Sequence, residues 1–426
     1  MFKYSYNKFL ILFLLSTLLN LNAQNRIDVK KLKSNFVISE NKEKYYSNLV
    51  KNVNTTFSET AISNSELWVK ALRDAQSIFL KNNLVESGIQ KSLTQTIDIN
   101  LKLQRVTLEV AYSLYQNNFS KEVLNIFEKT QDPISFAISA LYLQTSDISN
   151  SQIFDFDEIL KQKFPNYDQN SILINLKNEL TNNNSENISE AQLKDLLNHN
   201  FQNGKTIVYS IHRKNRIYPG IAIIKKTDGN FLKNDDGTIF NIQQLALSYS
   251  NLPGYIPNGN TPQGVYSIVG WYISPTETIG PTPNLLVRSP FEVSTEIFYH
   301  GKQKKNSWNF FEYIELLPES LQNYHPLFET YNAGKSGRKL IIAHGSTDET
   351  KYYKDQPYYP LTPTRGCLSS KEIWSESTGY CIESDQAKLI NAYKSVGNKN
   401  GFLVVFELDN QNKPVTIEEI SKLLDR

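Results

Sequence analysis

One cysteine and one histidine near the end of the chain have the residue types that acyl transfer requires. Cys367 closes the tetrapeptide TRGC at 364–367, and His344 lies 23 positions upstream, directly after the apolar run at 340–343. A thiol attacks a carbonyl as its thiolate, and a neighbouring imidazole that accepts the thiol proton allows this attack near neutral pH. The pair therefore predicts a nucleophile, Cys367, and its base, His344, which the intervening loop would bring together.

The residues around Cys367 indicate how the reaction would be assisted. Gly366 allows the backbone to turn tightly, so the amides of Gly366 and Cys367 could point at a developing oxyanion, where each donor typically contributes ~3 kcal/mol. Ser369 and Glu372 have the spacing of a capping box. This spacing predicts that a helix begins just after Cys367 and that its N-terminus favours the thiolate.

Several other side chains are candidates for contact with a substrate. Arg365 and Arg338 could each bind a carboxylate or could be ordinary solvated arginines. Asp348 is interpreted as a solvated charge, with orientation of His344 as the alternative. The tyrosines of the loop could line a substrate groove or pack within the loop itself. They are Tyr352, Tyr353, Tyr358 and Tyr359.

The remaining cysteine and histidines predict no further reactive site. Cys381 is interpreted as a small buried apolar residue, and a disulfide with Cys367 is the alternative that would silence the site. The other histidines lack the spacing of metal ligands, so no metal site is expected. They are His199, His212, His300 and His325.

Glycine and proline divide the chain into two halves. Between residues 24 and 200 the only glycine is Gly88, and the other seventeen lie from Gly204 onward. Long helices exclude both residue types, whereas sheets with tight turns need them. The sequence thus predicts an α+β multidomain protein with a helical domain at 24–180, a linker and short helix at 181–203, a mainly β domain at 204–408 and a C-terminal helix at 409–426.

Local patterns place individual elements within these halves. Apolar periodicity predicts one helix that begins at a capping box of Ser63 and Glu66. Further helices are predicted at 101–115, 136–143, 172–180, 190–197 and 417–424. Apolar and β-branched runs predict strands at 206–212, 220–224, 265–272, 292–299, 339–343 and 402–407.

The first 23 residues have the pattern of a signal peptide. Lys3 and Lys8 precede an apolar run from Phe9 to Leu19. This pattern predicts export to the periplasm or cell envelope, with an uncleaved membrane anchor as the alternative. Without these two lysines the 45 basic residues fall to 43, equal to the 43 acidic residues. This balance gives no electrostatic reason to expect a nucleic-acid partner.

The motifs around His344 and Cys367 resemble the catalytic domain of L,D-transpeptidases, the YkuD-type family. That family has a His-Gly pair at a strand end, followed after a loop by Ser/Thr-x-Gly-Cys; here these are HG at 344–345 and TRGC at 364–367. A Thr-Pro-x-Gly-x-aromatic stretch upstream corresponds to TPQGVY at 261–266. The resemblance covers residues 204–408. Ser369 departs from the pattern, because family members commonly have Arg or Asn at that position.

The resemblance implies a reaction on peptidoglycan. Cys367 would form a thioester with a stem peptide and release its terminal D-alanine, and an amine of a second stem, or of a wall-attached protein, would then accept the acyl group. No cofactor would be needed, and carbapenems are expected to acylate Cys367. Substrate contacts are expected from the motif and loop residues. These are Gly345, Thr364, Arg365, Tyr352 and Tyr353.

Two other functions remain open at this point. Water in place of the amine would make the protein an L,D-carboxypeptidase or a cross-link hydrolase on the same fold. A non-catalytic wall-binding protein, whose helical half carries the function, is a third reading. The presence of both His344 and Cys367 favours the two enzymes.

Overall fold

The described chain is a mixed α+β protein. The computed structural model describes residues 26–97, 100–146, 156–181, 187–202, 204–302, 307–397 and 399–424, and within these ranges it contains fourteen α-helices and ten β-strands. The predicted signal peptide at 1–23 lies outside them. Among the described residues, no helix has the length and apolar character needed to cross a lipid bilayer.

Several helices of the first half begin at a side-chain cap. Asn64, Asn82, Asn100 and Asp132 each accept a hydrogen bond from a backbone amide in the first turn that follows, which satisfies a donor that has no partner within the helix. Asn64, rather than the predicted Ser63, is therefore the cap of its helix. The helices are α1 (Ser39–Phe57), α2 (Ser65–Ser77), α3 (Asn83–Gln95), α4 (Leu101–Leu114), α5 (Ser120–Lys129), α6 (Pro133–Gln144), α7 (Phe156–Lys163), α8 (Ser171–Thr181) and α9 (Glu190–Asn198).

Five predicted helices of this half are confirmed, as α2, α4, α6, α8 and α9. The sequence did not predict α1, although Tyr46, Leu49, Val53 and Phe57 are buried at helical spacing along it. Asn and Lys residues between these positions obscure the pattern. Tertiary packing of this face, rather than intrinsic propensity, accounts for such a helix.

The second half carries the strands and the remaining helices. Eight strands close into a barrel in the order β1-β10-β4-β5-β6-β7-β3-β2, while β8 and β9 form a separate pair. Their bounds are β1 (Thr206–His212), β2 (Gly220–Lys225), β3 (Asn241–Leu245), β4 (Gly264–Tyr272), β5 (Asn284–Arg288), β6 (Ala343–His344), β7 (Leu368–Ser370), β8 (Glu372–Trp374), β9 (Cys381–Ser384) and β10 (Gly401–Glu407). The helices are α10 (Thr295–Phe298), α11 (Phe310–Ile314), α12 (Glu329–Lys335), α13 (Asp385–Ser395) and α14 (Ile417–Leu424).

Two apolar clusters cover the two faces of the barrel strands. Along β10, Leu403 and Val405 belong to a cluster that α13 enters through Leu389, whereas Phe402 and Val404 belong to a second cluster that includes α9 and α14. Strands buried on both faces have continuous apolar runs. Such runs explain why the predicted strands at 206–212, 220–224, 265–272 and 402–407 are confirmed in β1, β2, β4 and β10.

Three predictions for the second half are wrong. The segment at 292–299 is not a strand, because Ser294 accepts a hydrogen bond from the Ile297 amide and starts α10. Of the strand predicted at 339–343, only Ala343 is paired, in β6. The segment after Cys367 is not a helix: residues 368–370 form β7, and the Ser369 hydroxyl donates to the Thr362 carbonyl instead of capping a helix.

The helical half packs against the end of the barrel at which β10 finishes and β7 begins. Leu252, Tyr255 and Ile256, in the loop that precedes β4, belong to the same apolar cluster as the helices. In the loop that precedes β7, the Tyr353 hydroxyl donates to the Ser77 carbonyl of α2. Both loops lie close to Cys367 in sequence or in space, so the helical half contributes directly to the surroundings of the predicted nucleophile.

A substitution in α3 tests the packing of the helical half. A Cβ atom added to Gly88 would lie 2.6 Å from Cδ1 of Phe57, so Gly88→Ala is expected to destabilise by about 1–3 kcal/mol. Helix propensity alone would instead stabilise the alanine variant by roughly 1 kcal/mol. The free energy of unfolding from urea titration decides between these signs. Ser87→Ala, an exposed neighbour, is the control and should change it by less than about 0.5 kcal/mol.

Candidate active site

The pairing of β6 with β7 places the predicted nucleophile and base on one face of the barrel. The two strands are parallel, with Ala343 opposite Leu368 and His344 opposite Ser369. Ala343 and Leu368 are packed in the same apolar cluster, and side chains alternate along a strand, so His344 and Cys367 both point to the opposite face. A strand spacing of ~4.8 Å and a rise of ~3.3 Å per residue put their Cα atoms about 8 Å apart.

His344 is buried in a state suited to accept a proton. His344 is 5% exposed, and its Nδ1 lies 2.5 Å from the carbonyl oxygen of Gly345. A carbonyl only accepts, so Nδ1 carries the hydrogen and Nε2 carries the free lone pair. Burial lowers the pKa of His344 below its ordinary value, against the opposing effect of the Gly345 carbonyl. The neutral imidazole is therefore favoured.

Cys367 is partly exposed, and its surroundings favour the protonated thiol. Sγ donates to the carbonyl oxygen of Leu340 at 3.6 Å rather than to His344. Burial raises the pKa of Cys367, while the backbone of Ile342 and the charge of Arg338 act in the opposite direction. A thiol and a neutral imidazole, not an ion pair, are thus the resting forms of the two groups.

The TRGC turn that precedes β7 is held by its own threonine. The Gly366 amide donates to Thr364 Oγ1 at 3.0 Å, and Thr364 Oγ1 donates to the Cys367 carbonyl at 2.8 Å. Thr261, from the upstream motif, donates to the Gly366 carbonyl at 3.0 Å. Of the two predicted oxyanion donors, the Gly366 amide is therefore already bonded, and the Cys367 amide is the remaining candidate. Thr364 shapes the turn instead of facing a substrate.

Arg338 is neither a solvated arginine nor a free carboxylate ligand. It is 8% exposed, and its guanidinium donates to the carbonyls of Gly254, Ile256 and Gly259. The same guanidinium packs against Gly366, whose backbone has a φ of +103°. Arg338 thus fixes the loop before β4 against the turn that carries Cys367.

The open side of the thiol is bordered by exposed apolar residues. Leu340 is 69% exposed and has a φ of +65°, and its amide donates to Glu292 Oε1 at 3.1 Å. Tyr272, which is 36% exposed, lies close enough for the charge of Cys367 to act on its pKa, although burial is the larger cause of the upward shift. A non-glycine residue held at positive φ is a strained conformation of the kind found at functional sites.

Sequence reasoning missed the partner of Gly345. A side chain at this position would collide with the carboxyl group of Glu372, so Gly345 is needed for close packing and has no side chain to bind a substrate. Burial raises the pKa of Glu372 to about 7, and the hydroxyl of Ser384 donates to this carboxyl at 2.6 Å. Glu372 supports the backbone next to His344. Its capping-box spacing in the sequence pointed to a different role.

The tyrosine-rich loop is packed against the helical half. Tyr353 is 2% exposed, its hydroxyl donates to Ser77, and its ring centroid lies 5.4 Å from that of Phe79. The ring of Tyr352 lies 5.3 Å from that of Tyr46 in α1. Tyr353 accordingly presents no surface to a substrate, and Tyr352 packs on a helix. The structure thus packs these two rings against the helical half, whereas the sequence offered a substrate groove or packing within the loop itself.

Asp348 lies in the same contact between the tyrosine-rich loop and the helical half, and it does not orient His344. The hydroxyls of Tyr46 and Tyr249 donate to its two oxygens at 3.2 and 3.3 Å. Burial raises the pKa of Asp348 to about 6, although both tyrosines stabilise its ionised form. The Tyr46 hydroxyl also accepts the amide of Glu349 at 3.0 Å. One tyrosine of α1 therefore fixes two successive residues of the loop.

Arg365 is an exposed cation two positions before Cys367. Its charge acts on Arg73 and Glu109 of the helical half. Arg365 thus lies where the two halves meet, and it is the one predicted substrate contact whose charged group is accessible.

The second cysteine forms no disulfide with the first. Both are free thiols, and Cys381 is buried, with Sγ 3.3 Å from the Glu383 carbonyl oxygen. Among the described residues, no group of three or more His, Cys, Asp or Glu side chains is arranged to hold a metal ion.

Comparison of the chain with protein-family models, with curated proteins and with solved structures finds no match. The assignment of a reaction therefore depends on the motifs and on the geometry described above.

Replacement of Gly366 tests the fit of the turn against Arg338. An added Cβ atom would collide with the guanidinium and lie 2.5 Å from the Gly259 carbonyl oxygen, at a backbone φ of +103°. We expect Gly366→Ala to destabilise by more than about 2 kcal/mol, because collision adds to the ~1–2 kcal/mol cost of a left-handed alanine. Gly229→Ala has positive φ but open space, so its smaller loss isolates the collision. Equal unfolding free energies in the two variants would contradict the fit.

Proposed function

We propose that this chain is a cysteine L,D-transpeptidase that acts on peptidoglycan stem peptides in the periplasm or cell envelope. The observation that carries the proposal is the parallel register of β6 and β7, which puts His344 and Cys367 on one face. The partly exposed Cys367 thiol and the buried, neutral imidazole beside it have the properties that a nucleophile and its base require. The contact between Thr261 and Gly366 joins the third motif of the resemblance to this site.

The proposed reaction follows from the protonation states of the two groups. Nε2 of His344 takes the proton of Cys367 Sγ, and sulfur attacks the carbonyl carbon of the stem peptide. The Cys367 amide stabilises the oxyanion of the tetrahedral intermediate. The imidazolium then gives its proton to the nitrogen of the leaving D-alanine, and a thioester remains. Attack by an acceptor amine, whose proton returns to Nε2 and then to sulfur, forms the new amide and frees the thiol.

The fate of the thioester separates the proposal from its alternatives. An amine acceptor gives transpeptidation, whereas water gives carboxypeptidase or cross-link hydrolase activity by the same first step. A wall-binding protein would form no thioester at all. These three functions leave different products in intact peptidoglycan.

Incubation of the purified protein with sacculi, followed by muropeptide analysis, tests this function. New 3→3 cross-linked dimers are expected with the wild type and none with Cys367→Ala, which lacks the nucleophile. His344→Ala is expected to lower the rate about 10²–10⁴-fold, as loss of a general base does. Cys381→Ala is the matched control, since its thiol is buried in β9, and should keep full activity. Loss of existing dimers would indicate the hydrolase, and unchanged muropeptides would contradict both enzymes.

The pH dependence of carbapenem acylation tests the role of His344. Its pKa lies below the ordinary value of 6.5, so the base is neutral at pH 7 and is lost only as pH falls through that lowered pKa. The acylation rate, followed by mass spectrometry, should therefore be level above about pH 7 and fall on the acid side. In His344→Ala the rate should instead rise at alkaline pH, as the pH passes through the raised pKa of Cys367. The same profile in both proteins would remove His344 as the base.

A further inference from the structure

Leu340, whose carbonyl oxygen accepts the thiol, has a backbone conformation that its side chain does not explain. Its φ is +65°, which is unfavourable for residues other than glycine because Cβ crowds the following carbonyl oxygen. Burial of the side chain could compensate for this strain, but Leu340 is 69% exposed. Hydrogen bonds of the Leu340 main chain therefore hold the conformation.

Glu292 supplies the hydrogen bond at the amide of Leu340. Its Oε1 accepts this amide at 3.1 Å and Nη1 of Arg288 at 3.2 Å, and its Oε2 accepts the amide of Ser289 at 3.1 Å. The Glu292 side chain is 6% exposed, so water competes little for these donors. Glu292 thus ties Leu340 to the end of β5, which carries Arg288.

The amide and the carbonyl of Leu340 connect two different parts of the site. The amide donates to Glu292, whereas the carbonyl oxygen accepts Sγ of Cys367 at 3.6 Å. A change of φ at Leu340 rotates the carbonyl relative to the amide. The hydrogen bond to Glu292 therefore also fixes the direction in which the carbonyl points.

The charges around the thiol favour its protonated form. Burial is the largest cause of the raised pKa of Cys367, and the charge of Glu292 acts in the same direction, against Arg338 and the backbone of Ile342. The other titratable groups of this region are neutral near pH 7, paired with Glu292, or exposed to solvent. They are His344 and Tyr272, Arg288, and Lys339 and Arg365, respectively.

We propose that Glu292 is a positioning residue for the nucleophile, because it holds Leu340 where the carbonyl oxygen keeps the hydrogen on Sγ of Cys367. The inference rests on the proposed function for the role of Cys367. When a substrate is bound, Cys367 turns from Leu340 toward His344, Nε2 takes the proton from sulfur, and the thiolate attacks. Between turnovers the thiol is held in its less reactive form.

Alkylation of Cys367 by iodoacetamide tests this role without peptidoglycan. The full chain carries His344→Ala and Cys381→Ala, so that no imidazole assists the thiol and Cys367 is the only cysteine. The alkylation rate as a function of pH, followed by mass spectrometry, gives the pKa of Cys367, because the thiolate is the form that reacts.

Two variants of this parent protein remove the support of Leu340 and keep the charge at position 292. Glu292→Asp has a side chain too short to bond the same donors, and Leu340→Pro has no amide hydrogen and cannot adopt a positive φ. Each should lower the pKa of Cys367 by about half a unit or more, because a hydrogen bond that favours the thiol is lost.

Two further variants are the matched controls. Leu340→Gly keeps the amide and the carbonyl and adopts a positive φ without strain, so the pKa of Cys367 should stay at the parental value. Glu296→Asp makes the same shortening at an exposed position of α10 and should also leave that pKa unchanged.

The parental pKa in Glu292→Asp or in Leu340→Pro, provided that thermal melts show the variant to be folded, would overturn the proposal. An equal fall in Leu340→Gly would overturn it as well, because the side chain would then be what shields the thiol. If one of the first two variants does not fold, the other decides. A failure here leaves the muropeptide result untouched, and unchanged muropeptides leave the alkylation result untouched.

Discussion

The surroundings of Cys367 depend on one buried cation, Arg338, which pairs with no carboxylate among the residues that the structure describes. The guanidinium of Arg338 is held by backbone carbonyls of the loop before β4, and its planar fork matches several acceptors at once in a way that a lysine ammonium does not. Because the same group lies against Gly366, the position of Cys367 is set by hydrogen bonds between this side chain and the main chain. A charge that is fully committed to carbonyls cannot also serve a substrate, so Arg338 acts by support and Arg365 remains the accessible cation.

The helical half holds the surroundings of Cys367 from outside the barrel. It covers the barrel end that carries Cys367, and two buried tyrosine hydroxyls connect the halves. Tyr46 donates to the Asp348 carboxylate and accepts the Glu349 amide in the loop before β7, and Tyr353 donates to the Ser77 carbonyl of α2. Tyrosine suits such contacts because its ring can be buried while its hydroxyl makes a hydrogen bond to a polar partner. The loop between His344 and Cys367 is therefore ordered by contacts with a different part of the chain.

The catalytic roles of His344 and Cys367, which short motifs indicated, stay a prediction. The sequence did predict the division into helices and strands, because this depends on local patterns: glycine distribution and apolar runs. It failed where partners distant in sequence decide. Ser369 and Glu372 have the spacing of a helix start, yet pairing of β7 with β6 makes the segment a strand, and burial against Gly345 gives Glu372 another role. The hydrogen bonds of Arg338 left no signal in the sequence, since their acceptors are backbone carbonyls, which every residue possesses.

The alternation of side chains along β7 has a consequence for how the chain can vary in length. The two ends of the long loop after His344 are fixed by separate contacts, so insertions near its exposed part at 354–357 leave the pairing of β6 and β7 intact, and the added closure entropy is small. From Thr364 to Cys367 there is no such tolerance. Loss of a single residue there would shift β7 by one position and turn the thiol toward the apolar cluster inside the barrel. Length variation is thus permitted in the loop and forbidden in the four residues that end it.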